Sequence, residues 1–167
     1  MKTIASLVLI LAIGVSVQGR QPAPAQSGNI PESAIKLFQT TGLDRQYEFS
    51  PHLKPVYLTG DFDGDGKPDI AILVLQKSSK KIGIAVCHSS SSKVLFIGAG
   101  TVVGNGGDNF EWMDIWRVTP KAKAARQVGR AAAALLKGDA LYVEKSESAS
   151  ALIYWNGRRY LWRQQGD

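Results

Sequence analysis

The segment Gly60-Asp61-Phe62-Asp63-Gly64-Asp65-Gly66-Lys67-Pro68-Asp69-Ile70-Ala71-Ile72-Leu73-Val74-Leu75 decides how this chain folds. Four aspartates recur at odd positions around Gly64 and Gly66, and an almost unbroken apolar run follows them. Alternate side chains of a tightly curled loop point inward together, so Asp61, Asp63, Asp65 and Asp69 converge. Crowded carboxylates repel, and nothing nearby in the sequence neutralises them. A hard cation that takes six to eight oxygen ligands relieves that repulsion, which points to calcium. An EF-hand would carry a bidentate glutamate at the twelfth loop position. That position is Ile72, inside the apolar run, so the loop joins strand to strand rather than helix to helix.

The residues Gly60 to Ala71 resemble the calcium loop of the FG-GAP/VCBS family, the repeats of integrin-α-type β-propellers. The resemblance implies side-chain ligands at Asp61, Asp63, Asp65 and Asp69 and a carbonyl ligand at Lys67, with the ion bracing the fold. It covers roughly residues 55 to 75. Propellers repeat the blade about four to eight times, whereas this sequence carries the loop once, so a full propeller is not expected.

Outward from the loop, strands are expected at Pro55–Leu58, Ile70–Leu75, Ile82–Cys87, Val94–Ile97 and Leu141–Glu144. Ser89 to Ser92 reads as a solvated hairpin turn. Asn156-Gly157 favours a two-residue hairpin turn. That turn pairs Trp155 with Arg158 and Ile153 with Tyr160, placing these residues and Trp162 on one face. Pro31 to Thr41 has the signals of a helix, with Pro31 in its first turn, Gly42 at its end and Ala34, Ile35 and Phe38 as the buried stripe. Thr119 to Lys137 mixes helix formers with a central Gly129 and is ambiguous between helix and ordered loop. The expected fold is therefore α+β, a single mainly antiparallel sheet of about six strands with an N-terminal helix packed on it.

Lys2 followed by the apolar run Ile4–Val17 reads as a secretory leader, residues 1–19, with cleavage as late as Ala25 as the alternative. Residues 20–30 form a Pro/Ala/Gln-rich linker, and 31–167 a single calcium-loop domain. The lone Cys87 sits in an apolar run and has no disulfide partner, which suits a bacterial periplasmic or secreted protein. No stable membrane anchor is expected once the leader is removed. The chain has 20 Lys and Arg against 14 Asp and Glu, a net charge of +6. Five of the bases, Lys121, Lys123, Arg126, Arg130 and Lys137, lie in a stretch without acids. That excess suits an anionic partner such as a cell-wall polymer, the aromatic face of the C-terminal hairpin suits a carbohydrate or other stacking ligand, and no nucleic acid is expected.

A second segment, Asn105 to Trp116, sets Asp108, Glu111 and Asp114 three residues apart among aromatics. Paired carboxylates beside aromatic rings are what a glycosidase requires. Asp108 and Glu111 are the candidates for a secreted hydrolase, or a hydrolase inhibitor, as the alternative to a non-catalytic calcium-binding domain. His52 and His88 stand isolated, and no Ser/His/Asp or Cys/His order is recognisable.

Overall fold

A computed structural model describes residues 29–166. The expected leader (1–19) and most of the linker (20–30) lie outside the described residues. Among the described residues, no helix is long and apolar enough to cross a membrane.

The described residues form nine strands and three short α-helices. The strands are β1 (Tyr47–Phe49), β2 (Tyr57–Gly60), β3 (Asp69–Gln76), β4 (Ile82–Cys87), β5 (Val94–Gly98), β6 (Ile115–Thr119), β7 (Ala140–Lys145), β8 (Ala149–Trp155) and β9 (Tyr160–Gly166). The helices are α1 (Glu32–Thr41), α2 (Lys121–Val128) and α3 (Arg130–Ala133). The strands form two antiparallel sheets rather than the single sheet of about six strands expected with its N-terminal helix. In the first sheet β3, β4 and β5 lie side by side, and β1 and β2 share the other edge of β3. β1 pairs with its Val74–Gln76 end and β2 with its Asp69–Ile72 end. The second sheet is the meander β6-β7-β8-β9.

Side-chain alternation explains how the two sheets fit together. From β3 and β4, Ala71, Leu73, Ile84 and Val86 enter one core with Val143, Ala151, Ile153 and Tyr160 of the second sheet. The residues between them point the other way. Val74, Ala85 and Cys87 pack against Phe38 of α1, while Ile72 meets Ala34. On the second sheet Ala140, Leu152 and Tyr154 pack under Ala124 and Val128 of α2. Each sheet is thus covered on both faces, giving four layers. Burying both faces removes the apolar–polar alternation of a half-exposed strand, which is why β3 and β4 read as continuous apolar runs. Fully burying a Leu, Ile or Val side chain is worth roughly 1.5–3 kcal/mol, so the shared core between the sheets dominates the stability.

Local signals hold well in α1. Gly42 ends it with a left-handed φ of 72° and donates its N–H back into the last turn. At Gly129 the backbone again turns to positive φ and separates α2 from α3, resolving the ambiguous stretch as two short helices. The C-terminal hairpin departs from its expected register. Trp155 pairs with Tyr160 and Ile153 with Trp162, so the loop is Asn156–Arg159 rather than a two-residue turn. Asn156 Oδ1 accepts the N–H groups of Arg158 and Arg159 at 2.9 Å each, and these bonds hold the wider loop. Arg158 leaves the aromatic face, while Trp155, Ile153, Tyr160 and Trp162 remain on it.

Candidate metal centre

The β2–β3 connection is the acidic loop, and its first anchor is apolar. Phe62 is fully buried in the core between the sheets, which draws the backbone on either side of it inward. The loop then curls through its own carboxylates. Asp61 accepts the N–H of Gly64 on Oδ1 at 2.9 Å and that of Gly66 on Oδ2 at 3.0 Å. Asp63 Oδ1 accepts the Asp65 N–H at 3.0 Å, and Asp65 Oδ1 accepts the Lys67 N–H at 2.8 Å. These bonds bring Asp61, Asp63 and Asp65 together, with one carboxylate oxygen from each lying within 4.8 Å of the others. Carboxylate oxygens have lone pairs beyond the one each N–H uses, so such a cluster retains donors for a metal ion. Lys67 joins it through its N–H and through its ammonium, 4.0 Å from Asp65 Oδ2. The Lys67 N–H holds the Asp65 carboxyl below the usual carboxylate range.

Asp69 has a different setting. It is fully buried and accepts three main-chain N–H groups. Its Oδ2 accepts the N–H groups of Phe62 at 2.9 Å and Asp63 at 3.2 Å, and its Oδ1 that of Ser89 at 2.8 Å. Burial pushes its carboxyl above the usual range, the Ser89 N–H opposes this, and the neighbouring Asp63 charge adds to the rise. Asp69 groups with Asp63 and His88 rather than with Asp61 and Asp65.

His88 is the residue the sequence did not flag. It is buried, with Nδ1 3.6 Å from Asp63 Oδ2 and Nε2 2.8 Å from the Tyr160 hydroxyl. It also meets the Trp155 ring edge-on at 5.2 Å. Its signal was positional. Ile70 pairs with Cys87, so the residue after Cys87 stands beside Asp69 once β3 and β4 pair. The serine turn after β4 is likewise part of the centre, through the Ser89 N–H and the Ser90 hydroxyl, 3.3 Å from Asp63 Oδ2. Cys87 is buried, and burial pushes its thiol up to about 12.

The loop is also fastened to the second sheet. The Asp139 N–H donates to the Asp61 carbonyl at 2.6 Å, and Asp139 Oδ2 accepts the Asp61 N–H at 3.2 Å. Asp139 Oδ1 takes the Lys121 N–H at the start of α2. At Gly138 a Cβ would lie 2.0 Å from the Asp61 carbonyl oxygen, so only glycine permits this backbone-on-backbone contact. The acidic loop of one sheet and the approach to β7 of the other are therefore a single joint.

The carboxylates of the Asn105–Trp116 segment do not converge. Asp108 is ion-paired with Lys81, and Glu111 is exposed and meets the Asn109 amide at 3.4 Å. Asp114 bonds Lys145 at 3.1 Å and the N–H and hydroxyl of Ser146. His52 is held by the Met113 carbonyl at 3.0 Å. Lys121, Lys123, Arg126 and Arg130 are exposed along α2 and the start of α3. Comparison with protein-family models, curated proteins and solved structures gave no match.

Proposed function

We propose that this chain is an exported, non-catalytic domain in which the β2–β3 loop holds one structural calcium ion. The observation that carries the proposal is the cluster of Asp61, Asp63 and Asp65 oxygens within 4.8 Å of one another, on a loop bonded to both sheets. An all-carboxylate donor set suits a hard cation such as calcium over softer transition metals. The neighbouring Asp63, Asp69 and His88 group is less suited to a metal. Asp69 is committed to three main-chain N–H groups and His88 Nε2 to Tyr160. In this proposal Asp61, Asp63 and Asp65 bind through side chains and Lys67 through its carbonyl, while Asp69 is the buried brace that shapes the loop.

The role of the ion is to fix the joint between the sheets. With it bound, repulsion within the loop becomes attraction, and Asp61 is held where Asp139 meets it. Export to the periplasm or beyond, supported by the Lys2 and Ile4–Val17 pattern, would bring the loop into a compartment where calcium sites of about 10⁻⁴–10⁻³ M affinity are filled. A cell-envelope or extracellular ligand would then be the partner.

The test is thermal unfolding of the full chain in excess calcium and in chelator, alongside Asp63→Ala. Binding to the folded state alone stabilises by about 2.7 kcal/mol at a hundredfold excess over the dissociation constant. The expected result is a calcium-dependent rise in Tm that magnesium does not reproduce and Asp63→Ala abolishes. Equal melting in calcium and chelator would overturn the proposal.

A further inference from the structure

Where β9 leaves the core, an open groove of about 540 Å³ is lined by Asn105, Trp112, Lys145, Ser148, Trp162 and Gln164. We propose that this groove binds a neutral saccharide, an inference independent of the metal.

The two indoles form a corner. Their centroids are 6.2 Å apart and their planes are inclined at 74°. A pyranose has a flat face of C–H groups and a rim of hydroxyls. Such a ring lies on one indole with its edge against the other, a contact that flat apolar faces favour. The corner is rigid before any ligand arrives. Trp112 Nε1 donates to the Gly106 carbonyl at 3.3 Å, and Trp162 Nε1 to Gln164 Oε1 at 2.9 Å. Phe110 backs both rings, tilted to Trp112 at 5.4 Å and edge-on to Trp162 at 6.2 Å. The turn at Gly104–Gly106 lies so close to Trp162 that a Cβ at Gly106 would meet its Cζ3 at 2.4 Å. Holding the rings in advance removes an ordering cost that binding would otherwise incur.

The polar lining selects the ligand. With the indole N–H groups committed, the rings offer π faces and edges. The exposed Asn105 amide and Ser148 hydroxyl supply donors and acceptors for sugar hydroxyls. Among the described residues that line the groove the one cation, Lys145, is paired with Asp114 at 3.1 Å. The groove thus offers an acidic sugar no unpaired charge, which favours a neutral one. Proline-rich peptides need an extended aromatic groove, whereas two rings at a steep angle make a compact corner. Of the aromatics in the Asn105–Trp116 segment, Trp112 lines this site and Phe110 backs it, and the segment's carboxylates do not line it. Of the hairpin aromatics only Trp162 reaches it, because Trp155 and Tyr160 turn to His88.

The test uses indole N–H signals in ¹H–¹⁵N spectra of the full chain, each assigned by a single Trp→Phe variant. Chitotetraose, cellotetraose and maltotetraose are titrated to about 10 mM, with tetragalacturonate and a proline-rich decapeptide as alternatives; sites of this kind are read in the millimolar range and below. The expected result is a saturable shift of Trp112 and Trp162, but not of Trp116 or Trp155, with at least one neutral sugar. Asn105→Ala, an exposed change that leaves the fold intact, is expected to weaken that binding about five- to tenfold. No saturable shift with any neutral sugar overturns the proposal. So does a response to tetragalacturonate or to the peptide alone, or a response centred on Trp155.

Discussion

Replacing Asp69 by asparagine separates the two roles that its position in the loop allows. The carboxylate accepts three main-chain N–H groups, two on Oδ2 and one on Oδ1, in a site with no exposure to solvent. An amide has one acceptor oxygen and one donor nitrogen. Whichever way it turns, its NH₂ group faces at least one N–H donor, either that of Ser89 or those of Phe62 and Asp63. Leaving a buried donor unsatisfied costs about 1–3 kcal/mol, and the remaining bonds lose their charge assistance. Relief of the repulsion between Asp63 and Asp69 works in the opposite direction. The expected net loss is about 2–4 kcal/mol. For a domain of this size, between the small and mid-sized classes, each kcal/mol moves Tm by roughly 3–4 °C, so a fall of about 6–16 °C follows. The assay is thermal unfolding in chelator, where no ligand role can contribute, followed by the same measurement in calcium. Asp65→Asn, at an exposed position, should leave the chelator Tm nearly unchanged and remove the calcium increment. If Asp69→Asn instead melts like the parent chain in chelator and loses only the calcium increment, Asp69 is a direct metal ligand and the bracing argument fails.

Two further outcomes are expected. Gly138→Ala puts a Cβ 2.0 Å from the Asp61 carbonyl oxygen and 2.7 Å from the Gly64 nitrogen, both main-chain atoms that cannot swing aside. It should cost about 1–3 kcal/mol as overpacking does, and calorimetric titration should find weaker calcium binding although no ligand has changed. At Asp114, the Ser146 N–H, with Lys145 beside it, lowers the carboxyl below its ordinary 3.8. A carboxyl lowered on folding stabilises above the unfolded value, and that contribution is lost as pH falls through the folded value. Melting curves of the parent chain and Asp114→Asn should therefore differ above about pH 4 and converge below it; a constant gap across that range would count against the assignment.

The legible parts of this fold are those whose signals are local. Gly42 ends α1 as expected because a left-handed C-terminal residue needs no tertiary partner. The limits of β4 are those of the apolar run Ile82–Cys87. What escaped depends on which surfaces meet. Continuous apolar strands imply cover on both faces, but the cover for the first sheet is a whole second sheet on one side, and no single segment announces that. β1 and β6 were missed because three and five residues with exposed polar members carry little periodicity. The hairpin register followed the local preference of Asn-Gly, yet the wider loop lets Tyr160 pair with Trp155 and bury its hydroxyl against His88. In the centre itself the spacing of Asp61, Asp63 and Asp65 was readable. The roles of Asp139 and His88 were not, since each reaches the loop only through strand pairing or sheet packing.

The Gly138 joint has a consequence for how the molecule responds to its surroundings. Because Asp61 both belongs to the acidic cluster and bonds Asp139, occupancy of the loop by the proposed ion would be coupled to docking of the sheets. Coupling of this kind is reciprocal, with the same free energy in each direction. If the loop holds the proposed ion, anything that seats the second sheet more firmly, including a ligand held on its inward face, would tighten that hold by the same factor. On that proposal the loop would be a gauge of the whole domain's integrity, its affinity open to change from residues that never touch a metal.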